Sequence, residues 1–172
     1  MYRSRFQNFI FKYIFFLSGL LLLNSCGGSK NNMEQEDFNE LSQLVESGKF
    51  EIENTWAIPL GGGNINLIGN PNSIEIMGDS VEVYLPYFGV RQSGGSYDGE
   101  AGIKLKDKIR NLKVDEDPTK GKIDFKFETS QNTENLNFII SLYSNNKART
   151  QVISSQRTSI SYDGIISKLE KN

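Results

Sequence analysis

From about residue 49 to residue 166 the chain alternates apolar and polar residues with a period of two, and no stretch there carries the period of a crossover helix. Ile74 and Ile76, then Val81, Val83 and Leu85, alternate with polar partners around Gly78-Asp79, which reads as a hairpin with a tight turn. Ile103 and Leu105 alternate with Lys104 and Lys106, and Ile123, Phe125 and Phe127 with Asp124, Lys126 and Glu128. Between them Asp117-Pro118 opens a turn that ends near Gly121. Leu136, Phe138, Ile140 and Leu142 run to Asn145-Asn146, a pair tolerant of positive φ, and the chain returns through Ala148 to Ile153 before a last strand near Ser159 to Ile166. Strands joined at hairpin spacing without crossover helices exclude a parallel α/β sheet. They imply a mainly β fold, an antiparallel meander of about eight strands forming a sheet or a partly closed barrel.

One helix precedes the strands. Phe38, Leu41, Leu44 and Val45 fall on a single helical face within residues 33–47. Asn32 is placed to cap that helix, Glu34, Glu36 and Asp37 suit its amino-terminal dipole, and Gly48 offers a stop. An acidic polar face opposes binding to anionic headgroups, so this amphipathic helix is expected to pack on the sheet.

The amino terminus is an address. Arg3, Arg5 and Lys12 form a basic region, and Tyr13 to Leu23 is an uncharged, almost wholly apolar run. A bilayer span takes about 20 apolar residues, so this run reads as the apolar part of a cleaved signal peptide. Leu23-Asn24-Ser25-Cys26 resembles a bacterial lipobox, with the only cysteine of the chain at the position that becomes diacylated on sulfur and acylated, palmitate-like, on its new amino terminus. The sequence therefore divides into a lipoprotein signal peptide (1–25), a lipidated tether (26–32) and a single globular domain (33–172, helix 33–47, β-rich 49–166). Cleavage leaves 16 basic against 21 acidic residues, a net charge of −5. Gly27 follows the cysteine and the first acids come only at Glu34, Glu36 and Asp37, which favours an outer-membrane lipoprotein on the periplasmic face over the cell surface. The partners implied are the membrane, through Cys26, and an envelope protein or glycan; the near-balanced charge points to no nucleic acid.

Chemistry is sparse. The chain has no histidine, which removes the commonest general base and metal ligand, and a single cysteine cannot form an internal disulfide, a redox pair or a thiolate zinc site. No cofactor, metal or catalytic residue is implied. Gly61-Gly62-Gly63 lacks the following Lys-Ser/Thr of a phosphate loop and reads as a strand connection. Asp115-Glu116-Asp117 lacks calcium-loop spacing and reads as an exposed turn region. Lys104, Lys106, Lys108 and Arg110 share one face of a strand, where lysines discourage edge pairing.

Several segments carry a resemblance: Trp56-Ala57-Ile58-Pro59, Gly61 to Leu67 (GGGNINL), Gly78-Asp79-Ser80-Val81, Leu85-Pro86-Tyr87-Phe88-Gly89 and Arg157 to Gly164 (RTSISYDG). In that order they resemble domain-of-unknown-function family 4251, found chiefly in Bacteroidota lipoproteins, over about Phe38 to Ile166. The resemblance implies no established activity and no catalytic residues.

Binding residues are sought among aromatics near the Gly-rich loop that starts at Gly89, since aromatic rings stack on sugars and peptide side chains. Tyr87, Arg91 and Tyr97 form the candidate binding surface, with Phe88 turned into the core and Gly89 able to adopt a positive φ. Ser80, in Asp79-Ser80-Val81, matches a short O-glycosylation motif. A non-enzymatic binding or structural module of the envelope is favoured; the alternative is a glycan-active hydrolase using the loop carboxylates Asp98 and Glu100.

Overall fold

The computed structural model describes residues 29–92 and 102–170, the first five as backbone only. Cys26, Tyr97, Asp98 and Glu100 lie outside the described residues. The helix, α1, runs Ser29–Glu46, and the described residues from 35 onward form the compact β-rich unit considered below. The helix begins earlier than expected, so Asn32 is inside it and is not its cap, and Ser29 to Asn32 of the expected tether are helical. No Pro or Gly between Ser29 and Met33 interrupts the turn. Gly48, at φ +60°, ends the helix, its N–H donating to Val45 O. Phe38, Leu41 and Val45 are buried in the core as their spacing required.

The strands are β1 (Lys49–Pro59), β2 (Ile65–Asn66), β3 (Ser73–Met77), β4 (Ser80–Leu85), β5 (Ile103–Lys108), β6 (Arg110–Asp117), β7 (Lys122–Gln131), β8 (Glu134–Tyr143), β9 (Lys147–Ser154) and β10 (Ile160–Lys168). They form one 10-stranded antiparallel sheet in the order β5-β4-β3-β1-β10-β9-β8-β7-β6, with β2 paired to β1 beside that path. The sheet is nearly closed into a barrel. A single bent strand does the closing: β5 pairs with β4, and after Ile109 the chain continues as β6 and pairs with β7. At the bend Asp107 accepts hydrogen bonds from Thr129 Oγ1 (3.0 Å) and Ser130 N (3.2 Å) of β7.

The core follows the alternation. Phe127 lies opposite Phe138 in register and stacks on it at 4.8 Å, and Phe50 meets Phe125 edge to face at 5.4 Å. The turns fall where expected: Gly78 and Asn146 take positive φ, and a 3-10 turn at Pro118–Lys120 ends in Gly121 at φ +56°. Asp117 caps that turn, and the hydrogen bonds it accepts from Lys120 and Thr119 lower its carboxyl to about 2. Lys106 bonds Glu82 at 2.7 Å across the β4–β5 pair, its amine raised above the ordinary value by that bond.

Candidate functional site

The groove that could take a ligand arises from a mismatch in strand length. The first half of β1 pairs with β3 and the second half with β2, so β3 and β2 lie end to end along one neighbour. Asn72 ends β3. Its side-chain amide bonds Asn54 as a strand backbone would, Oδ1 accepting from Asn54 N (2.9 Å) and Nδ2 donating to Asn54 O (3.0 Å). β4 outruns β3: the last β3 pair is Ser73 with Tyr84, and Leu85 keeps a partner only in Ile103. Between β2 and the segment Leu85 to Phe88 a groove is left open. The resulting cavity, about 520 Å³, is lined on one side by Ile65, Asn66 and Leu67 and on the other by Tyr84, Pro86 and Phe88, with Lys104 at its rim.

Two aromatics present themselves there. Tyr84 is 42% and Phe88 44% exposed, and Lys104 Nζ lies over the Tyr84 ring at 4.8 Å because the two are register partners. The expected assignment of Tyr87 and Phe88 is reversed: Tyr87 is buried at 8% and Phe88 is outside. The reason is polar. The Tyr87 hydroxyl reaches Thr158 O (2.9 Å), Thr158 Oγ1 (2.9 Å) and Val90 O (3.0 Å), so the inward ring satisfies its oxygen as well as its face, which Phe88 could not do for those carbonyls. Gly89 is not at positive φ. It is required for space, since a Cβ there would lie 2.3 Å from the Tyr87 hydroxyl oxygen and 2.5 Å from Thr158 Oγ1. Tyr87 thus fixes the wall of the groove, which it lines while itself largely buried.

Behind that wall lies an ion pair that the sequence reading did not single out. Arg157 Nε and Nη2 donate to the two carboxylate oxygens of Glu134 (2.7 and 2.9 Å), both side chains 2% exposed. Arg157 Nη1 also donates to Gly102 O (3.0 Å), and the guanidinium lies over the Tyr87 ring at 5.1 Å. Burial opposes ionisation of Glu134, but hydrogen bonds from Arg157 and Ser154, with the charges of Arg157 and Arg91, outweigh it and hold the carboxyl below its ordinary value. Arg91, expected to be a surface contact, is half-buried and donates to Glu134 Oε2 at 3.3 Å. Tyr162 is fully buried, donates to Pro86 O at 2.7 Å, and has its pKa raised by burial first and by Tyr87 second. The only available signal was the co-occurrence of Arg157 and Tyr162 in RTSISYDG with the Tyr87 segment. Ser80 opens β4 half-buried, its hydroxyl donating to Asp79 Oδ1 at 3.1 Å. Among the described residues no cluster of acidic or cysteine side chains has the makings of a metal site.

Three of the segments that carry the family resemblance, Gly61 to Leu67, Leu85 to Gly89 and Arg157 to Gly164, line or support this groove, and the family model described as "Domain of unknown function (DUF4251)" matches residues 32–166. The chain belongs to the DUF4251 family. A crystal structure at 1.95 Å of a DUF4251 family protein from Bacteroides eggerthii is similar in fold, with a TM-score of 0.61 and 13% identity over 81% of this chain and 92% of that one. No curated protein matches. In the DUF4251 domain the LPYFG and RTSISYDG segments meet through Tyr87–Thr158 and Tyr162–Pro86 contacts, so their joint presence has a packing cause.

Proposed function

We propose that this DUF4251 chain is a non-enzymatic binding module of the cell envelope, anchored to the periplasmic face of the outer membrane by acyl chains on Cys26, and that its groove receives an extended segment of another envelope protein. The observation carrying this reading is the groove between β2 and Leu85–Phe88, whose walls are largely apolar and hold two half-exposed aromatic rings beside the short, singly paired strand β2. A peptide in extended form can add beside a short strand, its backbone pairing while alternate side chains enter the apolar lining. A glycan is less well served. Besides the tyrosines Tyr84 and Tyr87, the polar side chains lining the gap are Asn66, Asn70 and Lys104; Asn66 Oδ1 already accepts from Ile68 N at 2.8 Å, Lys104 covers Tyr84, and the Tyr87 hydroxyl is held by Thr158 and Val90. The wall is fixed beforehand by Tyr87, Arg157 and Tyr162, which reduces the ordering cost of binding.

A photoreactive phenylalanine analogue placed at position 88 in living cells tests this. The expected result is a covalent adduct that protease treatment removes and that Tyr84→Ala abolishes, while the same probe at Trp56, which does not line the groove, gives none. An adduct removed only by glycan hydrolases, or no adduct at all, refutes the protein-segment reading.

A further inference from the structure

Strand β6 is one of the two ends of the sheet order, paired among the described residues with β7 alone, and Arg110 to Glu116 are all exposed. Its own partner strand suits it poorly in charge. Lys113 stands opposite Lys126, and Asp115 opposite Asp124, like charges on directly facing positions. A diagonal contact from Lys126 to Asp115 at 3.5 Å and the Lys122–Asp124 pair at 2.9 Å relieve part of this, but Lys113 gains nothing from them. Val114 faces Phe125, which is buried at 3%, yet Val114 itself is 42% exposed, and no strand among the described residues pairs with β6 on that side.

We propose that β6 pairs with β6 of a second copy of this chain, antiparallel and about a two-fold axis through Val114. An axis normal to a sheet keeps each residue on its own face, so a residue of one copy can face only a residue of the same parity in the other. With Val114 on the axis, Val114 meets Val114, and Lys113 of each copy meets Asp115 of the other. The two ion pairs supply the opposite charge that β7 does not, and the two valines cover each other's exposed side. Leu112 then faces Glu116 of the second copy. The pairing ends there because Asn111, at φ +52°, sits where the β6–β7 register shifts and bends the edge away. The charge order Lys-Val-Asp across residues 113–115 makes this edge complementary to itself, which selects a second copy over a foreign strand.

The test is disulfide capture of the full-length lipidated chain in detergent. Facing residues on antiparallel strands have Cα atoms about 4.5–5.5 Å apart, within the range a disulfide spans. Val114→Cys should form a disulfide dimer under mild oxidation. Leu112→Cys should not, because its two copies would be displaced along the strand by four residues, about 13 Å. Lys113→Asp or Asp115→Lys in the Val114→Cys background should reduce the dimer at least tenfold, and the double reversal should restore it. Thermal melts of each variant verify folding. Monomer only for folded Val114→Cys, equal capture at 112 and 114, a disulfide to a different protein, or reversals without effect would each overturn the proposal.

Discussion

Replacing Arg157 by Met leaves Glu134 buried with only Ser154 and the longer, partly exposed Arg91 contact to hold its charge. Removing one partner of a buried ion pair typically costs about 3–5 kcal/mol, because the remaining charge has lost its compensation. Here three further contacts go with it: the bond to Gly102 O and the packing over Tyr87, in addition to the second carboxylate bond. The expectation for Arg157→Met is accordingly a loss of about 4 kcal/mol in urea unfolding of the lipid-free chain. Glu134→Leu should also destabilise, whereas the double variant should cost less than the sum by about 1–3 kcal/mol, since the two act as one unit. Acid adds a second readout. The Glu134 carboxyl lies below its ordinary value in the folded protein, so its contribution is present above the unfolded-state value and is lost as pH falls below about 4.5 toward the folded-state value. Wild type should lose stability through that window, and Glu134→Gln should lose less. A cost under about 1 kcal/mol for Arg157→Met, or strict additivity in the double variant, refutes the assignment of this pair as the support of the groove wall.

Tyr87→Ala should destabilise by about 3–5 kcal/mol as a buried aromatic deletion, and Phe88→Ala by under about 1.5 kcal/mol, with thermal melts deciding the order. Gly164→Ala should cost several degrees in Tm, because a Cβ there would lie 2.3 Å from Glu53 O and 2.8 Å from Asn54 Cα at the β1 bulge; an unchanged melt contradicts that close approach. Cys26→Ala should leave the chain unprocessed, its apolar signal segment still attached and its mass without acyl chains; a mutant that is processed and membrane-bound as before would remove the lipid anchor. Intact mass of the native protein should exceed the lipidated polypeptide by a glycan that Ser80→Ala eliminates; identical masses beyond the lost oxygen dispose of the modification.

Period-two alternation made the antiparallel architecture and most of its turns legible, because a strand with one face in the core must place apolar residues at every second position. It could not reveal β6, whose two faces are both exposed, since no burial imposes a pattern on such a strand. β2, two residues long, is too short to carry one. The same limit explains the exchange of Tyr87 and Phe88. Local chain geometry around Pro86 required that one aromatic go in and one out, but the choice was made by Thr158, 71 residues away in sequence, which supplies the polar partners for a hydroxyl. Glu134 and Arg157 likewise carry no local signal, being ordinary charged residues until β8 and the segment after β9 bring them together out of water. The chain's own residues determined its course from helix to meander and the sites of its turns; which side chains fill the core at the groove, and that a groove exists, followed from strand lengths that only long-range pairing sets.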